Sequence, residues 1–226
     1  MRPLRLALFP EGSTDVSFFS PLLVRVCEHL CRTVQIDIVP QVIDLSDIAR
    51  PDLLRRADQI QDAASQASGA FDILFVHADG AGDPARMRAE QVDPGLRQVA
   101  DAFTTRPGLV GLVPVREMEA WAIVDGDALR DVLGTTLSDA ELGIPHKPAL
   151  AESVTDPKRC LVQAVSVAIS GRRGRRTRKG DAGKRYSRYL RGIGERVGLD
   201  CLRDLAAFRS LEEELASALK ELRYLR

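Results

Sequence analysis

The chain has 226 residues, 45% of them hydrophobic and 28% charged, with 32 basic residues against 32 acidic ones. That length supports one large domain, or a domain with an appendage, around a sizeable core, and the composition is that of an ordinary globular chain. No apolar run approaches the roughly 20 residues that span a bilayer, and the N-terminus reads as a short strand without a leader pattern, so a cytoplasmic protein with no membrane partner is expected.

The first elements fall between residues 5 and 39. Arg5 to Phe9 is a strand apolar on both faces. Thr14 to Cys31 is a helix with a stripe through Phe18, Leu22, Val26 and Leu30, and Gln35 to Val39 alternates as a second strand. Pro51 opens a helix that Gly69 stops, Asp72 to Ala78 is another apolar strand, and Arg86 to Thr105 returns to helical spacing. Leu109 to Val115 and Glu117 to Leu133 give a further strand and helix. Strands alternating with helices imply crossover units, so residues 1–133 are expected to form an α/β core with a mainly parallel sheet and helices on both faces. Strand signals cease from about residue 134, and a C-terminal part, 134–226, reads as helical over Lys158 to Ile169, Tyr186 to Val197 and Ser210 to Leu225.

Within that part the neutral total breaks down. Residues 171–191 hold ten Lys or Arg and one acid, so the rest of the chain carries the opposite net charge of −9. The segment has no apolar periodicity and reads as an exposed loop. Arg172, Arg173, Arg175, Arg176, Arg178, Lys179, Lys184 and Arg185, with Arg188 and Arg191, suit sequence-independent phosphate contacts, and Tyr186 and Tyr189 could stack on unpaired bases. The alternatives are a loop docked on the acidic body and a solvated one. Four cysteines, at 27, 31, 160 and 201, have no paired spacing, which leaves neither a zinc site nor a disulfide framework.

In an open parallel sheet, ligands bind beyond the carboxyl ends of the strands. Three such ends carry acids here: Glu11-Gly12, Asp79-Gly80-Ala81-Gly82-Asp83, and Glu117-Met118-Glu119. Glycine beside each of the first two acids leaves room for a ligand to approach. Converging carboxylates repel unless a cation or a proton sits among them, and oxygen donors suit Mg²⁺ or Mn²⁺. Each acid also has an ordinary reading, as a helix-start or turn residue. Asp125 reads as a turn acid, and His77 as a packed core histidine on the face of its strand opposite Asp79.

The motifs EGSTD, HADGAGD and PVREMEAWAIVD, in this order and each at a strand end, resemble the TOPRIM fold of topoisomerases, primases and overcoming-lysogenization-defect-type nucleases. Within that superfamily they are most similar to a bacterial branch of unassigned function related to phage-defence nucleases. The resemblance covers roughly residues 1–130. It implies a Rossmann-like TOPRIM core in which Glu11, Asp79 and Glu119 are catalytic and Glu11, Asp79, Asp83 and Glu119 hold the metal. Position 81, where the second aspartate of the family's pair belongs, is Ala81; Asp83 is the candidate substitute, and a single ion in place of two is the alternative.

The mechanism implied is in-line attack of water on a phosphodiester, with Glu11 as general base or ion ligand, Asp79 holding the ion, and Arg116 a candidate cation for the developing charge. Two functions follow from the resemblance. One is a Mg²⁺- or Mn²⁺-dependent nuclease, or a related phosphotransfer enzyme. The other is a degraded nucleic-acid-binding or regulatory subunit of a defence system whose chemistry lies in a partner such as an ATPase. A small phosphorylated substrate is a third possibility. The chain has no P-loop of its own.

Overall fold

Two short runs organise the molecule, LALF and ILFVH, in which every side chain is buried and only the final histidine is polar. Strands covered on both faces read as continuous apolar runs, and they require helices on each side. The computed structural model describes residues 2–172 and 186–225. In chain order its elements are β1 (Arg2–Leu4), β2 (Leu6–Phe9), α1 (Ser13–Leu30), β3 (Ile36–Ile38), β4 (Ile43–Asp44), α2 (Arg56–Gln66), β5 (Ile73–His77) and α3 (Pro84–Met87). A π-helical turn (Arg88–Val92) leads to α4 (Asp93–Ala102), then β6 (Gly108–Leu112), α5 (Glu119–Ala122), α6 (Gly126–Leu133), α7 (Asp139–Leu142) and α8 (Pro157–Arg172). Beyond residue 185 come α9 (Ser187–Arg196), α10 (Leu199–Arg203) and α11 (Ala206–Glu221).

Every strand pairing is parallel. The main sheet runs β4-β2-β5-β6, and β1 pairs with β3 as a two-stranded extension. The register sets Phe9 against Val76 and His77 against Leu112, so the central strands finish close to one line.

Alternation along the strands divides the core in two. Leu6, Leu8, Ile73, Phe75, Val110 and Leu112 face a cluster shared with Phe18 and Leu22 of α1, Leu190 and Ile193 of α9, and Leu215 and Leu219 of α11. Ala7, Phe9, Leu74 and Val76 face Ile60 and Ala63 of α2 with Leu96 and Val99 of α4. Helices therefore cover both faces, as the strand–helix alternation predicts. Among the described residues the helices beyond 133 complete the first cluster; they have no separate core.

Several boundaries differ from the sequence reading, each for a local reason. The helix expected from Pro51 starts at Arg56, after a turn in which Arg50 pairs with Asp52. The stretch 117–133 is two helices, because Asp125 caps α6: its Oδ1 accepts the Ala128 N–H at 3.0 Å and its Oδ2 that of Gly198 at 2.8 Å. β6 stops at Leu112, short of Pro114, which has no N–H for the ladder. β1 and β4 are too short to leave a periodic signal.

Candidate metal centre

Parallel strands send their carboxyl-end loops to one side. Pro10 ends β2 and delivers Glu11 and Gly12 to the start of α1, where Asp15 folds back on them. Asp15 Oδ2 accepts the Glu11 N–H at 3.1 Å and the Gly12 N–H at 2.7 Å, which fixes the turn. The Glu11 side chain then crosses to the neighbouring strand end, where its Oε2 accepts the Asp79 N–H at 2.6 Å. Asp79 Oδ1 accepts in turn the N–H of Met118 at 3.2 Å, from the loop between β6 and α5. Two carboxylates thus tie three strand ends together.

The loop after Asp79 is fastened to the same place. The Ala81 N–H donates to Arg116 O at 3.1 Å and the Gly82 N–H to Val115 O at 2.8 Å. Ala81 sits in the left-handed region, with φ of 49°.

His77 is the packed core histidine that the sequence reading expects, but it shares a face with Asp79 instead of opposing it. Residues 77 and 79 are two apart on extended chain and so share a face. The ring is fully buried against Phe19, with centroids 4.7 Å apart, yet its nitrogens face two acids. Nδ1 is 3.0 Å from Asp15 Oδ2 and Nε2 is 3.4 Å from Asp79 Oδ1. The second contact is an ion pair too poorly aligned for a hydrogen bond, and Nε2 is a buried nitrogen without such a bond. One ligand atom each from Glu11, His77 and Asp79 lie within 4.8 Å of one another.

The two acids also act on the basicity of the imidazole. Burial favours neutral imidazole, but the Asp15 hydrogen bond and the charges of Asp15 and Asp79 outweigh it and raise the His77 pKa to about 9. Burial likewise pushes Asp15 up, and His77 with the two backbone donors more than reverses it, leaving that carboxyl below its ordinary value.

The folded value of His77 lies above its unfolded value of about 6.5, so its contribution is complete below that pH and disappears as pH rises through 9. The metal-free protein is expected to lose on the order of 3 kcal/mol of unfolding free energy between pH 6 and 9.5, a window set by the His77 shift. Urea unfolding in chelator at several pH values measures this, and His77→Gln should flatten the slope. A native midpoint that stays constant across the window would contradict the ion-paired imidazolium.

The other sequence candidates lie elsewhere. Glu119 is only 4% exposed and is not in the close group; its Oε1 accepts the Tyr186 hydroxyl at 3.1 Å, with Lys158 Nζ 3.9 Å away. Burial, first of all, raises the Glu119 pKa, opposed by Lys158 and Tyr186. It turns inward because α5 is buried on every side, with Trp121 packed edge-on against Phe19 and Phe208. Asp83 is a helix cap, accepting the Arg86 N–H at 3.1 Å.

Glu117 accepts the Lys158 backbone N–H at 3.2 Å. Tyr186, 5% exposed and bonded to Glu119, does not offer a stacking face. Arg173, Arg175, Arg176, Arg178, Lys179, Lys184 and Arg185 lie outside the described residues, and Arg172 is the last residue of α8.

Sequence reasoning missed Asp15 and His77 as site residues. Asp15 was legible only as a first-turn acid, while the parity of 77 and 79 was the available signal for His77. A cleft of about 590 Å³ at the amino ends of the strands, lined by Arg2, Arg5 and Arg106, holds none of these acids. The chemistry of the group, not volume, marks the candidate site.

Fold and site together define an α/β protein with parallel strands and an acid–histidine group at the carboxyl end of its sheet. Among the described residues no helix is long and apolar enough to cross a membrane. Comparison of the chain with models of protein families, with curated proteins and with solved structures finds no match.

Proposed function

We propose that the protein is a divalent-cation-dependent nuclease, or a closely related phosphodiester-cleaving enzyme, on a TOPRIM-like core. The observation that supports it most is the convergence of Glu11, His77 and Asp79, from adjacent strands, within 4.8 Å. The donor set fits a cation. A metal-binding histidine nearly always gives its other ring nitrogen to a carboxylate, and His77 Nδ1 has Asp15 at 3.0 Å while Nε2 is left unsatisfied toward the acids. An imidazole between two carboxylates favours Mn²⁺ over Mg²⁺. One ion suits this set: Ala81 contributes no ligand, and Glu119 and Asp83 are engaged elsewhere.

A bound ion would supply Lewis-acid stabilisation of negative charge on the phosphate. Glu11, His77 and Asp79 would hold it, and Asp15 would keep the imidazole turned toward it. The alternative role of Glu11, exposed at the mouth, is to take a proton from attacking water as general base. Arg116, whose Nη1 lies beside Gly82 of the Asp79 loop, is placed to meet charge developing on the phosphate. The basic segment 171–191 would supply sequence-independent affinity for DNA or RNA.

Ala81 favours a second reading, a nucleic-acid-binding or regulatory subunit of a phage-defence system that works beside a partner such as an ATPase. Nicking of labelled single- and double-stranded DNA and RNA with Mn²⁺ or Mg²⁺ separates the two. Asp79→Asn keeps an acceptor for the Met118 N–H and removes the charge, so the native protein should cleave and the variant should not. Binding without cleavage by both supports the second reading, and a calorimetric Mn²⁺ titration without heat defeats the enzyme.

A further inference from the structure

The carboxyl end of the sheet holds another charged group, Arg56, the first residue of α2. Its guanidinium lies 5.1 Å from the centre of the Phe9 ring, and its Nη2 donates to His77 O at 2.6 Å and to Pro10 O at 3.2 Å. Those carbonyls belong to the end of β5 and to the residue before Glu11. Arg56 therefore clamps together the two strand ends that present the candidate ligands.

Its remaining donors are idle. Nε is buried without a partner, and Nη1 makes no hydrogen bond among the described residues. Glu11 and Asp15 are the acids whose charge acts on it, but among the described residues neither forms an ion pair with it. Arg5, Arg88, Arg130 and Arg203, also partly buried, each pair with a carboxylate. Arg25 has no such pair either, but its Nη1 and Nη2 serve the carbonyls of Gly194 and Val197 at the end of α9. Beside the candidate centre, Arg56 and Arg116 each keep a buried Nε without a partner among the described residues, and Arg56 is the one that bridges the two ligand-bearing strand ends. A half-buried guanidinium with no carboxylate paired to it is costly.

We propose that the missing counter-charge is a phosphate of the substrate, bound at the Arg56 guanidinium through Nη1, the donor that is neither enclosed nor used by the fold. This inference rests on the nuclease reading and adds a substrate-binding residue to it. Charge supports the assignment: a divalent ion only offsets Glu11 and Asp79, so the anionic phosphodiester needs further positive charge, and the planar fork of arginine matches phosphate oxygens.

Two measurements decide it. In ¹⁵N-labelled native protein, inorganic phosphate should shift the Arg56 Nε–H signal, identified by its absence in Arg56→Lys. By ³¹P titration, Arg56→Gln and Arg56→Lys should bind phosphate at least about tenfold more weakly, and nick DNA about a hundredfold more slowly, while the Mn²⁺ affinity of Arg56→Lys, whose ammonium can still donate to the Pro10 and His77 carbonyls, stays within threefold of native. The affinity arm excludes a merely structural clamp, which would disturb the metal group. A stationary Arg56 signal, together with variants that bind phosphate as the native protein does, overturns the proposal. The spectrum is read on native protein, so misfolding of Arg56→Gln leaves the test intact. Absence of Mn²⁺ binding by native protein counts against the nuclease reading alone, because the phosphate titration is also run without metal.

Discussion

Glu11→Gln is expected to leave the fold intact while weakening Mn²⁺ binding at least tenfold and cleavage by at least about a hundredfold. The glutamate does two separable things. Its Oε2 accepts the Asp79 N–H at 2.6 Å, and glutamine can preserve that bond with its carbonyl oxygen. Its charge is the part that cannot be replaced. Without it, the group retains only Asp79 and the imidazole of His77, which is too little negative charge to compete with water for a divalent ion.

Stability should move little, because the side chain is exposed and the Asp15 contacts that shape the turn are made by backbone N–H groups. Calorimetric Mn²⁺ titration, with urea unfolding in parallel, separates the two effects. Unchanged metal affinity in a folded variant would remove Glu11 from the centre, and lost stability would show that the carboxylate is structural.

What the sequence reveals about such a site depends on whether a signal is local. The buried strands were legible because LALF and ILFVH are continuous apolar runs, and two of the three acids that follow strands do converge, since parallel strands in register must deliver their ends together. Glu119 fails that inference because its direction is set by tertiary packing. A short helix enclosed by Trp121, α8 and Tyr186 carries its carboxylate inward, and no spacing in EMEAW announces it.

Asp15 and His77 show the reverse. Each has an unremarkable local role, first-turn acid and core residue, and their pairing across 62 positions arises only when α1 lies over β5. Arg56 is more obscure still: in RRADQ it is one of two adjacent arginines, and only the fold sends it under the strand ends while Arg55 pairs with Asp58 at the surface.

The glycines beside the acids illustrate the same limit, and they yield the second large effect. Sequence reasoning gave Gly12 and Gly80 one purpose, space for a ligand, but the structure gives them different ones. A Cβ on Gly12 would meet nothing closer than Asp15 Oδ2 at 3.9 Å. On Gly80 it would overlap Pro114 O and lie 2.6 Å from Val115 O, both backbone atoms, the second held by the Gly82 N–H.

Gly80→Ala must therefore push the Asp79 loop off the β6–α5 loop. That separation breaks the Gly82-to-Val115 and Ala81-to-Arg116 bonds and carries Asp79 away from the Met118 N–H. Overpacking against backbone, with two or three hydrogen bonds lost, should cost about 3 kcal/mol or more. Gly12→Ala should cost less than about 1 kcal/mol. Urea unfolding measures both, and Mn²⁺ titration of Gly80→Ala under conditions where it stays folded tests the consequence for the site. Because the Glu11 and Met118 contacts to Asp79 depend on this apposition, metal affinity should fall along with stability. If Gly80→Ala were as stable as Gly12→Ala, the two loops would not be packed as described, and the Asp79 carboxylate would lose the support that aims it at Glu11 and His77.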